Sequence, residues 1–328
     1  MKKIYLFISV LAMLFIACET DFDVNSQWEE TTVVYGLLDA SDENTLQKIK
    51  ISKAFLGEMD AYEMAQYADS INFDTANIDV MIYKWGFSEI VNADTLKAVP
   101  TARDGDIFND NIVVYEFENE NLFLQKGYEY ELVVKNNKSG NIVTSRTEVV
   151  SGFDFDSQYT KDKTFQFSFY FNSDFTSSII KWVNSNDNGS IYQLDLIFNY
   201  TEKRGANFDT LQLTYSLPLV DDTEEKMSIE GESFFNFLES NLSKDDDVVR
   251  YFNGIDMQMT VGSEDLETYI NVNKPITGIV QERPQFTNVN NGIGLFSSRF
   301  TKIRFNYFLT PTTDDYLKSV DGLDRNFQ

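Results

Sequence analysis

Histidine is absent from the chain, and cysteine occurs once, at Cys18. The missing histidine excludes Ser-His-Asp and Cys-His hydrolases and every metal site that uses an imidazole ligand. The single cysteine excludes a disulfide framework. Basic residues are also scarce, with 27 Lys and Arg against 52 Asp and Glu, which gives a formal charge of −25. Because such a surface repels phosphate backbones, we expect no nucleic-acid partner.

The amino terminus lacks a hydrophobic run long enough to span a bilayer. Residues 4–17 are uncharged and mostly apolar and follow Lys2 and Lys3, but a spanning helix needs about 20 such residues. A basic start, a short apolar middle and a small residue before the cut are typical of a secretory signal peptide. Residues 1–17 are therefore predicted to be a signal peptide that is cleaved between Ala17 and Cys18.

Residues 14–18, Leu-Phe-Ile-Ala-Cys, resemble the lipobox of bacterial lipoproteins. In those proteins the cysteine thiol is diacylated, the peptide is cut before it, and the new amino terminus is acylated. Two or more acyl chains give stable attachment, at about 0.8 kcal/mol per buried CH₂ group. We therefore expect Cys18 to be lipidated and to anchor the chain in a bilayer. The alternative is an ordinary secreted protein with a chance cysteine near its cleavage site.

Residues 18–30 form an acidic segment that contains no basic residue. We interpret this segment as a flexible tether that lifts the first domain off the membrane. Acidic residues directly after a lipidated cysteine also resemble the surface-export signal of Bacteroidota lipoproteins. A solvated linker that carries no address is the alternative.

Composition and strand pattern predict a mainly β fold in two domains. The chain has 328 residues, more than one hydrophobic core usually serves, and its 28 Phe and 17 Tyr favour strands. Six or seven short strand patterns separated by turn residues predict an immunoglobulin-like β-sandwich over residues 31–152. Residues 153–310 are predicted to form a second antiparallel β-rich domain, and residues 311–328 a C-terminal tail.

Two short helices are predicted within the second domain. Residues 233–242 place four apolar side chains on one helical face. Residues 263–267, Ser-Glu-Asp-Leu-Glu, form a capping-box sequence that predicts a helix ending near Val272.

Four stretches of the chain resemble an uncharacterised lipoprotein family of Bacteroidota. They are KAFLGEMDAYEMAQYADS (53–70), GESFFNFLESNL (231–242), DLETYINVNKP (265–275) and IVQERPQFTNVNNGIGLFSSR (279–299). The resemblance implies an immunoglobulin-like first domain, a second β-rich domain and a location in the outer membrane, facing the cell exterior or the periplasm. It also implies genes that often lie beside TonB-dependent uptake receptors. It supplies no catalytic residue and no cofactor.

The most specific part of this resemblance, residues 284–296, contains a candidate loop for a partner or ligand. The candidate residues are Asn288, Asn290, Asn291, Gly292, Gly294 and Phe296. Asn and Gly tolerate positive φ and suit a tight turn, while a glycine inside a strand permits close approach of another backbone. The structural alternative is a turn followed by a constrained strand entry.

Two acidic loops and three tryptophans are further candidates. Residues 184–195 place oxygen-bearing side chains at alternate positions, as in a calcium loop, but three are Asn and the segment lies between two strand patterns. A plain hairpin turn is the alternative there, and residues 104–111 form a second acidic loop. Trp28, Trp85 and Trp182 are candidate sugar-stacking platforms, and core packing is the alternative for the last two.

The sequence as a whole predicts a non-enzymatic binding or accessory protein, anchored in the outer membrane and serving a TonB-dependent receptor. A structural or adhesive envelope protein is the second hypothesis. The third is a glycan hydrolase, because two carboxylates can perform that chemistry without histidine. With 52 acidic residues, the sequence singles out no pair. We therefore predict no catalytic residue, metal or cofactor.

Overall fold

The computed structural model describes residues 30–54, 68–102, 111–159, 165–183, 188–223, 225–275 and 285–328. The predicted cleavage and lipidation residues Ala17 and Cys18, the tether residues 18–29 with Trp28, and the acidic-loop residues 104–110 and 184–187 lie outside these ranges.

Strands make up most of the described chain, which confirms the mainly β class. The strands are β1 (Thr31–Asp39), β2 (Leu46–Ala54), β3 (Ile78–Gly86), β4 (Glu89–Thr95), β5 (Lys97–Ala102), β6 (Asn111–Glu118), β7 (Glu129–Asn136), β8 (Ile142–Glu148), β9 (Asp154–Phe155), β10 (Gln166–Phe167), β11 (Tyr170–Phe171), β12 (Asp174–Phe175), β13 (Ser177–Val183), β14 (Ile191–Arg204), β15 (Asn207–Ser216), β16 (Val220–Asp221), β17 (Lys226–Glu230), β18 (Val248–Gly262), β19 (Val289–Asn290) and β20 (Gly292–Leu309).

The helices within the described ranges are few and short. They are α1 (Ala68–Ile71), α2 (Asn119–Leu122), α3 (Gly231–Asn241), α4 (Glu264–Asn273) and α5 (Pro311–Lys318). The two predicted helices correspond to α3 and α4. No helix within the described ranges is both long and apolar enough to cross a bilayer.

The first half of the chain is a sandwich of two sheets. One sheet has the strand order β19-β8-β7-β3-β4, and the other face is formed by β20, β1, β2, β6 and β5. Alternation along each strand turns one row of side chains inward. Val34 and Ile49 of one sheet therefore share a core with Ile82 and Leu132 of the other.

Strand β20 belongs to both halves of the molecule. Its first part runs parallel to β1, with Gly294 opposite Val34, and its later part runs antiparallel to β18, with Thr301 opposite Thr260. These pairings join the halves in one sheet with the path β15-β14-β18-β20-β1-β2-β6-β5. Phe296 consequently lies in the first core, whereas the sequence pattern predicts residues 153–310 to form the second domain.

The second half has a core rich in aromatic rings. Helix α3 turns Phe234 and Leu238 into this core, as its helical period predicts. The segment 311–328, predicted to be a tail, instead forms α5 and a further segment without regular secondary structure, and both pack against the same core. Leu317 and Phe327 are buried there, and their apolar surface is the physical reason that this segment folds onto the second half.

Candidate functional site

The candidate loop after α4 is held by hydrogen bonds within the chain. Asn288 Nδ2 donates to Phe296 O at 2.7 Å and to Asp265 Oδ2 at 2.8 Å, and Phe296 N donates to Asn288 Oδ1 at 3.0 Å. Ser145 Oγ donates to Asn288 O at 2.8 Å. Asn288 thus ties the loop to β20, α4 and β8 through the polar groups of its side chain and its carbonyl oxygen.

The turn between β19 and β20 uses the two asparagines that the sequence singled out. Asn290 pairs with Thr144 of β8, and Asn291 adopts the left-handed region with φ of 57°. Asn291 Nδ2 donates to Ile142 O at 3.1 Å. Both residues therefore shape a tight connection against β8.

The two glycines of the loop permit a close backbone approach. A Cβ on Gly292 would lie 2.8 Å from Thr32 O, and a Cβ on Gly294 would lie 1.9 Å from Val34 O. Gly294 also has φ of 119°, which side chains rarely tolerate. Because Phe296 is fully buried, the contacts of this loop support the structural alternative, a turn followed by a constrained strand entry.

A groove of about 530 Å³ lies between α4 and the outer face of strands β1, β2 and β20. Its volume falls within the roughly 300–1,000 Å³ typical of small-molecule sites. Its walls are mainly apolar and aromatic, from Tyr35, Leu37, Leu46, Leu266, Tyr269, Ile270 and Leu295. We refer to it below as the α4 groove.

Local periodicity places these side chains in the α4 groove. On β1, Val34 and Leu38 point into the first core, so Tyr35 lies on the opposite face of the sheet. On α4, Leu266 and Ile270 are four residues apart and therefore share one helical face. The groove is thus built from residues of both strand and helix.

Two tyrosines connect the helix to the sheet across the α4 groove. Tyr269 Oη donates to Tyr35 Oη at 3.4 Å, and the ring centroids lie 6.2 Å apart in an edge-to-face arrangement. The hydrogen bond with Tyr269, together with partial burial, raises the pKa of Tyr35 to about 12. The Tyr35 hydroxyl group is consequently available as a neutral hydrogen-bonding group near pH 7.

Two cations border the α4 groove in a chain of strongly negative charge. Lys48 Nζ lies 3.2 Å from Glu116, and Arg299 Nε lies 3.0 Å from Asp39 Oδ2. The side chain of Lys48 is 56% exposed and that of Arg299 is 48% exposed. Glu116 and Asp39 are more enclosed, with 15% and 14% of their side chains exposed. The ammonium group of Lys48 and the guanidinium group of Arg299 have further N–H donors, which can reach an anionic ligand while these ion pairs persist.

The described tryptophans occupy different environments. Trp182 is buried and stacks on Tyr192 with ring centroids 5.3 Å apart, which agrees with core packing. Trp85 is half-buried, donates from Nε1 to Glu131 Oε2 at 2.8 Å, and carries the Arg146 guanidinium 4.2 Å from its ring centroid. The Arg146 side chain therefore covers the Trp85 ring where a sugar would stack.

The end of the predicted calcium loop makes contacts within the protein. Asn188 Nδ2 donates to Glu148 Oε2 at 2.9 Å, and Asp195 lies within β14 opposite Ser216 and Gln258. In the part of the chain that the structure describes, no cluster of three or more Asp, Glu or Cys side chains is arranged to hold a metal ion.

The residues of the α4 groove are not predicted as a site from the sequence, although two local patterns indicate them. Residues 33–38, Val-Val-Tyr-Gly-Leu-Leu, have no polar alternation, which is typical of a strand covered on both faces. Leu266, Tyr269 and Ile270 fall at i, i+3 and i+4 of the predicted second helix. Nothing local indicates that these two elements meet, because residues 35 and 269 are far apart in sequence.

Comparison of the sequence with protein-family models finds no match, and a search of curated proteins finds no similar sequence. The α4 groove is therefore the feature of the molecule from which a function is inferred.

Proposed function

We propose that the chain is an exported, lipid-anchored binding protein whose α4 groove holds an amphipathic, anionic ligand without transforming it. The observation that carries this proposal is the combination of aromatic and apolar walls with two exposed cations at the border. Small-molecule sites are typically pockets of this size, lined mainly by apolar and aromatic side chains with a few polar groups that orient the ligand.

The chemistry of the walls defines the ligand class. An apolar or aromatic body fits a groove whose walls include Tyr35, Tyr269 and Leu295, and its burial contributes roughly 25 cal/mol per Å² of apolar surface. A carboxylate, sulfonate or phosphate on that body reaches Lys48 or Arg299 and accepts a charge-assisted hydrogen bond from it.

The sequence supplies the setting of this activity. A lipid anchor at Cys18 and the acidic tether after it place the binding domain at a membrane surface, and the family resemblance indicates the outer membrane beside a TonB-dependent receptor. The protein then acts as an accessory that presents its ligand to the receptor, because tethering raises the local concentration of both.

The groove assignment is tested with 8-anilinonaphthalene-1-sulfonate, a probe with an aromatic body and one anionic group. We expect saturable fluorescence enhancement with the full chain, and a dissociation constant raised at least about tenfold, or 1.4 kcal/mol, by Tyr269→Ala or Lys48→Gln. Tyr83→Ala and Lys135→Gln are matched controls on β3 and β7, away from the groove. Equal binding by all variants, or no saturable binding, contradicts the assignment.

The accessory role has a separate test. Mild detergent extraction of the native protein, followed by mass spectrometry, is expected to recover a TonB-dependent receptor in near-equal amount. Recovery of the chain without a receptor contradicts the accessory role. It does not affect the groove assignment, which the fluorescence experiment tests separately.

A further inference from the structure

Strand β15 lies at an edge of the largest sheet in the described part of the chain. Within the described ranges it pairs only with β14, and it ends the strand path of that sheet. Most of its side chains are exposed on both faces of the sheet, including Phe208 at 62% and Leu211 at 39%. Its outer row of backbone N–H and C=O groups is therefore open to an additional strand.

The other long edges carry devices that discourage strand addition. Strand β5, at the opposite end of the same sheet, contains Lys97 and Pro100, and proline cannot donate to a ladder. Strand β4 contains Glu89 and Asp94, and its register with β3 shifts at a bulge. Lysine, proline, charge and bulges are common protections of sheet edges.

Strand β15 has none of these protections except a single charge. Asp209 is its only charged residue, and its register with β14 runs without a shift from Asn207 to Ser216. A ten-residue edge that is regular, nearly uncharged and free of proline is a ready template for pairing.

The hairpin geometry indicates which residues of β15 offer their backbone groups. Arg204 pairs with Asn207 across a two-residue turn, and the closing pair of such a turn is hydrogen-bonded. Because bonding alternates along an antiparallel pair, the odd-numbered residues of β15 bond to β14. The even-numbered residues, among them Thr210, Gln212 and Thr214, direct their N–H and C=O groups away from the sheet.

We propose that β15 pairs antiparallel with β15 of a second copy of this chain, so that one sheet continues across a two-fold axis at Gln212. A two-fold contact is made by the same surface of both subunits. In this register Gln212 faces Gln212 of the second copy, and Thr210 faces Thr214 of the second copy. All of them are residues whose backbone groups point outward, so the ladder is complete.

The side chains of β15 are complementary to themselves in this register. Leu211 faces Leu213 of the second copy on the face that carries α3, and the exposed part of Leu211 is covered. Asp209 faces Tyr215 of the second copy, so the only carboxylate of the strand does not meet its own counterpart. Threonine pairs such as Thr210 and Thr214 stabilise a sheet through hydrogen bonds between their hydroxyl groups.

The charge of the whole chain predicts how the dimer responds to salt. Two copies with a formal charge of −25 each repel one another, and dissolved salt screens this repulsion over about 10 Å at 0.1 M. The β15 contact itself is nearly uncharged, so salt weakens the repulsion without weakening an attraction. The dimer is therefore expected to strengthen as salt concentration rises.

The first experiment uses thiol cross-linking. In the full chain with Cys18→Ser, Gln212→Cys introduces the only thiol, and it lies on the proposed two-fold axis. Facing residues of a hydrogen-bonded antiparallel pair have Cα atoms about 5.5 Å apart, within the range of a disulfide. We expect rapid covalent dimerisation under mild oxidation, whereas Ser139→Cys, on the exposed β7–β8 turn, is expected to cross-link slowly.

The second experiment measures the oligomeric state by sedimentation velocity over a range of concentrations. The wild type is expected to show a monomer–dimer equilibrium. Thr210→Pro removes an outward N–H without removing a bond to β14, so it is expected to weaken the dimer at least about tenfold, or 1.4 kcal/mol, with an unchanged far-ultraviolet circular dichroism spectrum. A wild type that stays monomeric, together with equal cross-linking of both cysteine variants, overturns the proposal.

Discussion

Tyr115 is buried in the first core, and its hydroxyl group has no hydrogen-bond partner within the described part of the chain. An unsatisfied buried hydroxyl costs about 1–3 kcal/mol. Burial also raises the pKa of Tyr115 to about 12, from the ordinary 10.0. A single side chain thus couples the stability of the core to alkaline pH.

Tyr115→Phe is expected to raise the free energy of unfolding by about 1 kcal/mol at pH 7, because it keeps the ring and removes the unsatisfied hydroxyl. The pH dependence has a definite sign. The folded chain keeps the Tyr115 proton to about pH 12, whereas the unfolded chain loses it near pH 10, so stability falls with pH between these values. The variant is expected to lose less stability over that interval.

Urea unfolding at pH 7 and at steps between pH 10 and pH 12 measures both effects. Tyr83→Phe is the control, since its half-buried hydroxyl contacts the sulfur atom of Met81. If Tyr115→Phe instead lowers the free energy of unfolding at pH 7, the hydroxyl has a bonding partner and the account of Tyr115 is wrong.

Single residues also differ in how far the sequence predicts their role. Gly294 is predicted to permit close backbone packing, and the structure places it against Val34 O, where no side chain fits. The orphan hydroxyl of Tyr115 could not be predicted, because alternation along β6 indicates which way a side chain points. It does not indicate which polar group the side chain will meet.

Among the strands and helices, the sequence predicts those that are determined by local periodicity. Strand β14 and helix α3 follow from their alternating and helical patterns. Residues 165–171 alternate in sequence as a single strand would. They divide into β10 and β11, because β10 pairs with β20 while β11 pairs with β12. The parallel pairing of β1 with β20 is likewise set by distant residues, for which the local pattern carries no signal.

The C-terminal element offers a test of its structural importance. Phe327→Ala is expected to lower the free energy of unfolding by about 3–5 kcal/mol, because Phe327 is buried in the second core and its loss leaves a cavity. Val320→Ala, in the same segment but with the side chain 78% exposed, is expected to change it by less than about 0.5 kcal/mol. Guanidinium unfolding of both variants measures the difference, and equal small effects would show that residues 311–328 are a loose tail.

For the whole molecule, the central observation is that one sheet serves two cores. Strand β20 contributes Phe296 to the first core and Tyr307 to the second. Between them, Ser298 Oγ donates to Glu148 O at 2.7 Å and accepts from Val150 N at 3.0 Å. The segment that joins the two halves is thereby fixed to the strand that they share. Sequence patterns predict the strands and helices of each half. They do not predict that β20 is shared, because its pairing partners lie far along the chain.

This arrangement predicts that the two halves unfold together. Trp85 reports on the first half and Trp182 on the second, so chains that keep only one of the three tryptophans resolve each half by fluorescence. Both tryptophans are expected to report the same urea midpoint. Because β20 belongs to the sheet of both halves, its unpairing in one half destabilises the other half. Ser298→Pro interrupts β20 between the cores and is expected to separate the midpoints, whereas Ser298→Ala keeps the strand and leaves them together. Two distinct midpoints in the wild type would instead show that the halves behave as independent domains despite their common sheet.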